Sequence, residues 1–372
     1  MPELAGDTLE TTSPEVKRYQ RLKLTASVAS LLISLAFLAV MALWLGPALN
    51  DGVTRLVGQN SWLRLMTLAA IYAVATELLI FPTDFWSGYL LEHRYDLSNQ
   101  TLKQWLWRQL KGYMLGAVLG AVLVAGLYFL LWHAGWSWWI WATAGWLGLV
   151  LLLGQLVPVL ILPLFYKVTR LDDATLFQRL AALAADTSLR VEGIYRLHLS
   201  AETKKANAAL AGLGRTRRVL LGDTLLDQFS HDEIAVVFAH EVGHHVYRHL
   251  PKMIIGNVVL AAAGFWLVDL VLRHAAQALG YPAYDDPAAL PLVFLVLMAF
   301  GLLFLPLHNA ISRHFERQCD RYALKRTGLR EAYRSAFIKL ARMNKADVDP
   351  NPLVVWLFDD HPPIRERLAM AK

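Results

Sequence analysis

Cysteine is nearly absent from this sequence: Cys319 is the single one in 372 residues. One thiol cannot form an intrachain disulfide, and zinc sites built from C-x-x-C pairs are excluded with it. That suits a reducing compartment for the polar part of the chain. Charge is scarce too, with Asp, Glu, Lys and Arg making up 18% of residues against roughly one quarter in an average soluble domain. The sequence also has no internal repeat, no low-complexity tract and no recognisable nucleic-acid-binding motif. The net charge of +6 is therefore not read as a nucleic-acid footprint, and no nucleic acid is expected as a partner.

Apolar surface takes the place of charge, at 56% hydrophobic residues. Six apolar segments can be read, at about 24–46, 63–83, 113–132, 137–163, 254–273 and 289–308, each near the length a helix needs to cross a bilayer. The first follows a polar stretch, Met1 to Lys23, and is too long for the core of a signal peptide, so it reads as a retained anchor. Thirteen Trp and thirteen Tyr fit a chain with membrane interfaces. Pro158, Pro163 and Pro306 sit late in apolar segments, where they kink or end a helix.

Positive charge orients these segments. Lys17, Arg18, Arg21 and Lys23 precede the first, and Arg94, Lys103, Arg108 and Lys111 follow the second. The alternate connections hold little, with Arg55, Arg64 and Arg273 as exceptions. The basic connections fall on one side, which the positive-inside rule assigns to the cytoplasm. The polar blocks 164–252 and 309–372 land there as well. The expected division is residues 1–166, an N-terminal domain with about four spans, and 167–372, a second domain with two further spans.

Within 164–252, Leu171–Asp186 carries helical apolar spacing and Ile194–Ser200 alternates as a strand does. Ala206–Leu210 and Arg218–Leu221 read as two more strands around a Gly212–Gly214 turn. Ser230 with Glu233 forms a capping box, which starts a helix expected to run to about His249.

That helix carries His240-Glu241-Val242-Gly243-His244. Residues four apart share a helix face, so both imidazoles can reach one zinc ion, and Glu241 can take a proton from its bound water. His245 and His249 repeat the spacing one residue on, but Val246 supplies no base there, so that pair reads as a solvated or interfacial face. A hydrolytic zinc site has three protein ligands and an open position. By spacing alone the third is Glu316 or His314, or Glu316 belongs to a salt-bridged helix. Asp320, four residues after Glu316, is placed to accept a hydrogen bond from a ligand imidazole and fix its ring.

Several separate motifs now fall in one order. They are Glu92-His-Arg-Tyr-Asp-Leu-Ser-Asn-Gln-Thr101, Pro158-Val-Leu-Ile-Leu-Pro-Leu-Phe-Tyr-Lys167, Asn207-Ala208, Leu221-Gly-Asp-Thr-Leu-Leu226, the histidine motif, Ser312-Arg313 with Glu316 and Asp320, and His361-Pro-Pro363 with Arg365 or Arg367. Over nearly its whole length the chain resembles the type I CAAX prenyl endopeptidase family, integral-membrane zinc metalloproteases of the gluzincin type, and looks like a bacterial version. Asp96, where the family usually has Gly, and Cys319, where Ala is common, are departures.

The resemblance implies that Glu316 is the third ligand to one zinc ion per chain. It implies that Asn207 and Ala208 belong to an edge strand that holds extended substrate backbone, and that His361 steadies the developing oxyanion. It implies a water-filled chamber among the spans, which Glu77, Gln155 and Asp269 are compatible with lining; pairing across helices is the alternative reading of Gln155 and Asp269, and a protonated carboxyl that of Glu77. The fold expected is mainly α: a polytopic helical membrane protein with a cytosolic-side, zincin-like α+β catalytic domain carrying a small β-sheet. The expected activity is zinc-dependent endopeptidase action on peptide or protein substrates, membrane-associated or lipidated, in the bacterial plasma membrane. A broad quality-control protease and a non-catalytic scaffold or transporter with a zinc site are the rival readings.

Overall fold

The computed structural model of the chain describes residues 12–187, 189, 193–212 and 217–372. Most of the expected Gly212–Gly214 turn and the start of the N-terminal tail lie outside them. Among the described residues, six helical stretches are long and apolar enough to cross a membrane: Pro14–Val57, Ser61–Arg94, Leu102–His133, Gly135–Phe165, His249–Ala275 and Pro287–Thr327. Each contains one of the expected apolar segments and outruns it.

Their beginnings follow from local chemistry. Ser13 and Asn60 accept hydrogen bonds from the Val16 and Leu63 amides, and Thr101 with Gln104 makes a reciprocal capping box. Many large apolar side chains on these stretches point outward, among them Leu78, Val118, Val122, Ile255 and Leu303. In lipid there is no hydrophobic gain in turning them inward. Where the stretches do pack, Leu65, Leu68, Tyr128, Leu131, Trp138, Val268, Leu272 and Leu290 form one cluster.

The final long helix, Leu290–Thr327, is unbroken for 38 residues. Pro306 lies inside it without ending it, and Gly328, at φ +68°, does. At 1.5 Å per residue this rod is on the order of 55 Å long, more than a bilayer core requires. Its second half therefore leaves the apolar zone and carries Glu316 and Asp320 into the polar domain.

That domain holds a four-stranded sheet in the order β1-β2-β4-β3. The strands are β1 (Val168–Arg170), β2 (Gly193–Leu197), β3 (Ala208–Ala211) and β4 (Arg218–Gly222). β2 and β4 run parallel, and the other two pairs antiparallel. Leu176, Leu180, Ile194, Val219, Leu221, Ile234, Phe238 and Val242 pack the helices Ala174–Ala184 and His231–Val246 onto this sheet. Among the described residues β3 lies at the edge, paired on one side only.

Two devices hold β3. Asp223 accepts from the Leu199, Ser200 and Thr224 amides and from the Ser200 hydroxyl, which ties the turn after β2 to the end of β4. Residues 96–99 dock onto the loop just before β3: the Lys204 amide donates to the Leu97 carbonyl at 3.0 Å and the Asn99 amide to Glu202 at 2.9 Å. Asp96 sits there at φ +56°, with Lys204 Nζ 2.5 Å from its carboxylate. That left-handed backbone is the physical reason for a glycine at this position, and Asp is among the few other residues that enter it readily.

The histidine-bearing helix is shorter than expected. It spans His231–Val246; Arg248 then adopts φ +56° and a new helix begins at His249. Pro251 gives the reason: without an amide hydrogen it is tolerated in a first helical turn and not in a continuing helix.

Candidate metal centre

The helices His231–Val246 and Leu290–Thr327 cross in close contact. Gly243 makes this approach possible, because a Cβ there would lie 3.0 Å from the Cys319 Cα. The crossing sets His240, His244 and Glu316 face to face. His240 Nε2 lies 3.1 Å from Glu316 Oε2, and His244 Nε2 lies 3.2 Å from Glu316 Oε1.

Each carboxylate oxygen thus faces a different ring nitrogen. Glu316 Oε2 is buried and accepts no hydrogen bond of acceptable geometry, although His240 Nε2 is so near. The lone pairs of three donors point into one small volume, the pattern a tetrahedral metal site demands. The Cys319 thiol also lies within 4.8 Å of ligand-capable nitrogens of His240 and His244. Its Sγ sits 3.6 Å from His249 Nδ1, and it is fully buried behind the two imidazoles. Glu316, with an oxygen opposite each Nε2, fits the site better. His314, the other sequence candidate, packs on Phe315 and reaches Gln318 through its Nε2 instead.

The second ring nitrogen of His240 is held at 2.9 Å from Asp320 Oδ1. Burial by itself pushes His240 down, but the Asp320 and Glu316 carboxylates outweigh it and hold the proton on, up to about 9. Asp320 is completely buried and is met by Arg367, whose Nε and Nη2 donate to its two oxygens at 2.9 and 2.6 Å. Of the two arginines in the C-terminal motif, it is Arg367 that enters the site, while Arg365 pairs with Asp349.

Glu241 is partly buried, and the Leu210 amide of β3 lies 3.4 Å from its Oε2. Glu241 therefore stands between the histidine–carboxylate cluster and the free edge of the sheet. Asn207 precedes β3 directly, and its carbonyl accepts from the Gly222 amide at 2.9 Å. Ala208 is the first β3 residue, opposite Leu221. His361 is exposed, with Nε2 3.6 Å from Glu316 Oε2 and Nδ1 2.7 Å from Asp360 Oδ1. Asp360 raises the affinity of His361 for its proton, burial opposes this, and Glu316 adds to the rise.

One expectation needs correction. His245 and His249 do not form a solvated face. His245 bonds the Thr187 carbonyl, and His249 is 1% exposed, stacked on Phe315 with ring centroids 4.1 Å apart. The helix break at Arg248 turned His249 inward, and Pro251 was the sequence signal for that break. Asp269 takes the second of its two readings, pairing across helices: it accepts from Trp138 Nε1 at 2.6 Å, and from Arg273 Nε on its own helix at 2.8 Å. A cavity of about 1200 Å³ does lie among the spans, bordered by Tyr72, Glu77, Tyr113 and Gly116.

Comparison with known proteins adds three findings. The sequence profile of peptidase family M48 matches residues 170–372, and a profile described as CAAX prenyl protease N-terminal, five membrane helices, matches residues 2–167. Within that second stretch the described chain has four membrane-length helical stretches. An uncharacterized metalloprotease YhfN of Bacillus subtilis is 29% identical, over 81% of this chain and 72% of its own. CAAX prenyl protease 1 of Saccharomyces cerevisiae is 28% identical, over 79% of this chain and 69% of its own. The crystal structure of S. mikatae Ste24p has the same fold, with a TM-score of 0.84 at 24% identity over 96% of this chain and 88% of that one.

Proposed function

We propose a reaction and a set of residue roles from one premise: this chain belongs to peptidase family M48 and is a membrane-embedded metalloendopeptidase related to the CAAX prenyl proteases. His240, His244 and Glu316 hold a single zinc ion. The observation that carries this assignment is the buried Glu316 carboxylate, each oxygen apposed to one Nε2 and Oε2 left without a hydrogen bond. Three protein ligands and an open fourth position are the arrangement of hydrolytic zinc sites. When bound, zinc supplies a Lewis acid for the scissile carbonyl and lowers the pKa of water there.

The chain's own groups supply the rest. Glu241 takes the proton from the attacking water and passes it to the leaving amine, a transfer that its place between the cluster and β3 permits. β3 holds the substrate by strand addition, in which main-chain bonds give affinity with little demand on sequence. The Leu210 amide faces Glu241, so by the two-residue period of a strand Ala208 presents its backbone to the same open side. Asn207 extends that edge by its side-chain amide. His361, whose hold on its proton Asp360 strengthens, would donate to the developing oxyanion. Asp320 fixes the His240 ring, and Arg367 balances its charge.

Substrates are peptides or proteins at the membrane, lipidated ones included. Basic residues in the first polar stretch and after the second span support a cytoplasmic N-terminus and site, in a bacterial plasma membrane. The N-terminal stretch packs on the catalytic domain through Tyr19, Lys23 and Lys205, which all reach Glu92 at 2.8 Å, so both lie on one side. The proposed boundary between the two domains, 166/167, comes just after the fourth stretch, which ends at Phe165. The quality-control and scaffold readings draw no support from these relatives.

Glu241→Gln tests the mechanism. The variant should bind zinc with the parent's stoichiometry and fail to cleave peptides; unchanged turnover would overturn the assignment.

A further inference from the structure

The two metal-facing histidines are backed differently. His240 leans on the Asp320 carboxylate at 2.9 Å. Among the described residues no carboxylate backs His244. Its Nδ1 lies 3.2 Å from Nδ1 of His249, and Nε2 of His249 lies 2.8 Å from Gln318 Oε1. His249 is 1% exposed, sandwiched at 4.1 Å on the Phe315 ring and near Tyr247 at 5.7 Å.

The proton count along this row has one solution. His244 offers Nε2 to the cluster, so its own proton sits on Nδ1. An Nδ1–H must find an acceptor, and the atom it meets is His249 Nδ1. That nitrogen accepts only when His249 carries its proton on Nε2, and Gln318 Oε1 is placed to take that proton's hydrogen bond. The Cys319 thiol, 3.6 Å from the same Nδ1, is a second donor toward it. Gln318, His249 and His244 therefore form a directional row in which each ring's tautomer is set by its neighbour.

We infer that His249 is a positioning residue for the metal centre: a neutral imidazole, fixed by Gln318 and Phe315, that accepts the His244 Nδ1–H and so locks that ligand's ring and tautomer. The inference rests on His244 being a metal ligand, as assigned above. Its chemistry goes further than orientation. A carboxylate behind each histidine would load the site with negative charge, and Asp320 is already balanced by Arg367. A neutral acceptor behind His244 leaves Glu316 as the charged ligand and keeps the metal electrophilic. Partners of this kind change metal affinity by roughly 10–100-fold when removed.

The row also explains why the helix breaks where it does. In a continuous helix His249, five residues beyond His244, would point away from it. The left-handed Arg248 and the restart at His249 swing the ring back against His244.

The test compares His249→Phe, His249→Asn and Gln318→Met in the full-length protein in detergent. Phe keeps the stack on Phe315 but cannot accept a hydrogen bond. Asn places a carbonyl oxygen near the position of Nδ1, and Met removes the acceptor that sets the tautomer while touching neither ring. Zinc affinity is measured by chelator competition, and the visible absorption of the cobalt-substituted protein reports ligand geometry. His249→Phe should bind zinc roughly 10–100-fold more weakly and shift the cobalt bands. His249→Asn should restore most of both, and Gln318→Met should shift the bands in the same direction as Phe. Parent-like zinc affinity and cobalt spectra in His249→Phe and Gln318→Met would overturn the role of His249. Retention of zinc by Glu316→Ala would instead overturn the ligand assignment beneath it, so the two failures are distinguishable.

Discussion

Arg367 grips Asp320 with two parallel hydrogen bonds, at 2.9 and 2.6 Å, and both side chains are sealed from solvent. The Arg367 guanidinium also stacks over Phe337, 4.0 Å from its centroid, which fixes the fork in the core of the C-terminal helices. Through His240 this pair connects the last helix of the chain to the cluster of His240, His244 and Glu316.

A buried pair of this kind is worth little against an apolar replacement but much against a half-removed one. Arg367→Leu alone should cost about 3–5 kcal/mol because it strands the Asp320 charge. Arg367→Leu with Asp320→Leu should cost less than the single change. Denaturation of the variants in detergent, with zinc content measured in parallel, checks both the loss and its reversal.

Glu316 and Cys319 both approach the histidines, and substitution separates them. Cys319→Ala should keep one zinc per chain and parent activity, with a stability loss of about 1 kcal/mol for the removed buried atom. Glu316→Ala should lose the metal under the same dialysis. Metal analysis of the purified variants decides, and a metal-free Cys319→Ala protein would reverse the roles.

Asp360 raises the affinity of His361 for its proton. If His361 must donate to the oxyanion, peptidase activity falls as pH rises through its raised pKa. Asp360→Asn removes the cause of the rise, so the alkaline limb of kcat/KM should move to lower pH, while the limb disappears in His361→Gln. A pH profile of the three proteins reads this directly.

Gly243 lies where the helix that carries His240 and His244 touches the helix that carries Glu316. Gly243→Ala pushes a methyl group against the Cys319 backbone, which cannot yield as a flexible side chain would. The expected cost is about 1–3 kcal/mol of overpacking, together with weaker zinc binding, because the same crossing sets the His–Glu distances. Thermal inactivation and chelator competition measure the two effects.

Glu233 closes the capping box of the histidine helix. Burial disfavours its charge, but Lys339, Ser335 and the Ser230 amide more than offset this and hold its pKa below the ordinary value. A lowered folded-state pKa contributes stability that is present above the ordinary glutamate range, near pH 4.3, and lost as pH falls through the folded value. Glu233→Gln should be less stable at neutral pH and lose less on acidification. Unfolding temperature followed from neutral pH to well below about pH 4.3 shows whether the two curves converge.

Much of the fold could be read from local pattern. Apolar length gave the six membrane-length stretches, alternation gave the strands of a small sheet, and Ser230 with Glu233 marked the start of the histidine helix. These are signals carried by neighbouring residues, and the physics behind them acts within a turn or a strand. The spacing of His240, Glu241 and His244 is of the same kind.

By itself, then, the sequence determined the apolar spans, the two-histidine face with its adjacent carboxylate, and the order of motifs that resembles one family. Only the tertiary structure decided which carboxylate meets those histidines, which arginine balances Asp320, and that His249 is buried behind His244 rather than exposed. The reason is physical. Those contacts join residues of separate elements, the widest separated by 127 positions between His240 and Arg367. Their distances depend on how two helices cross at Gly243 and on one left-handed residue, Arg248, which no local periodicity encodes.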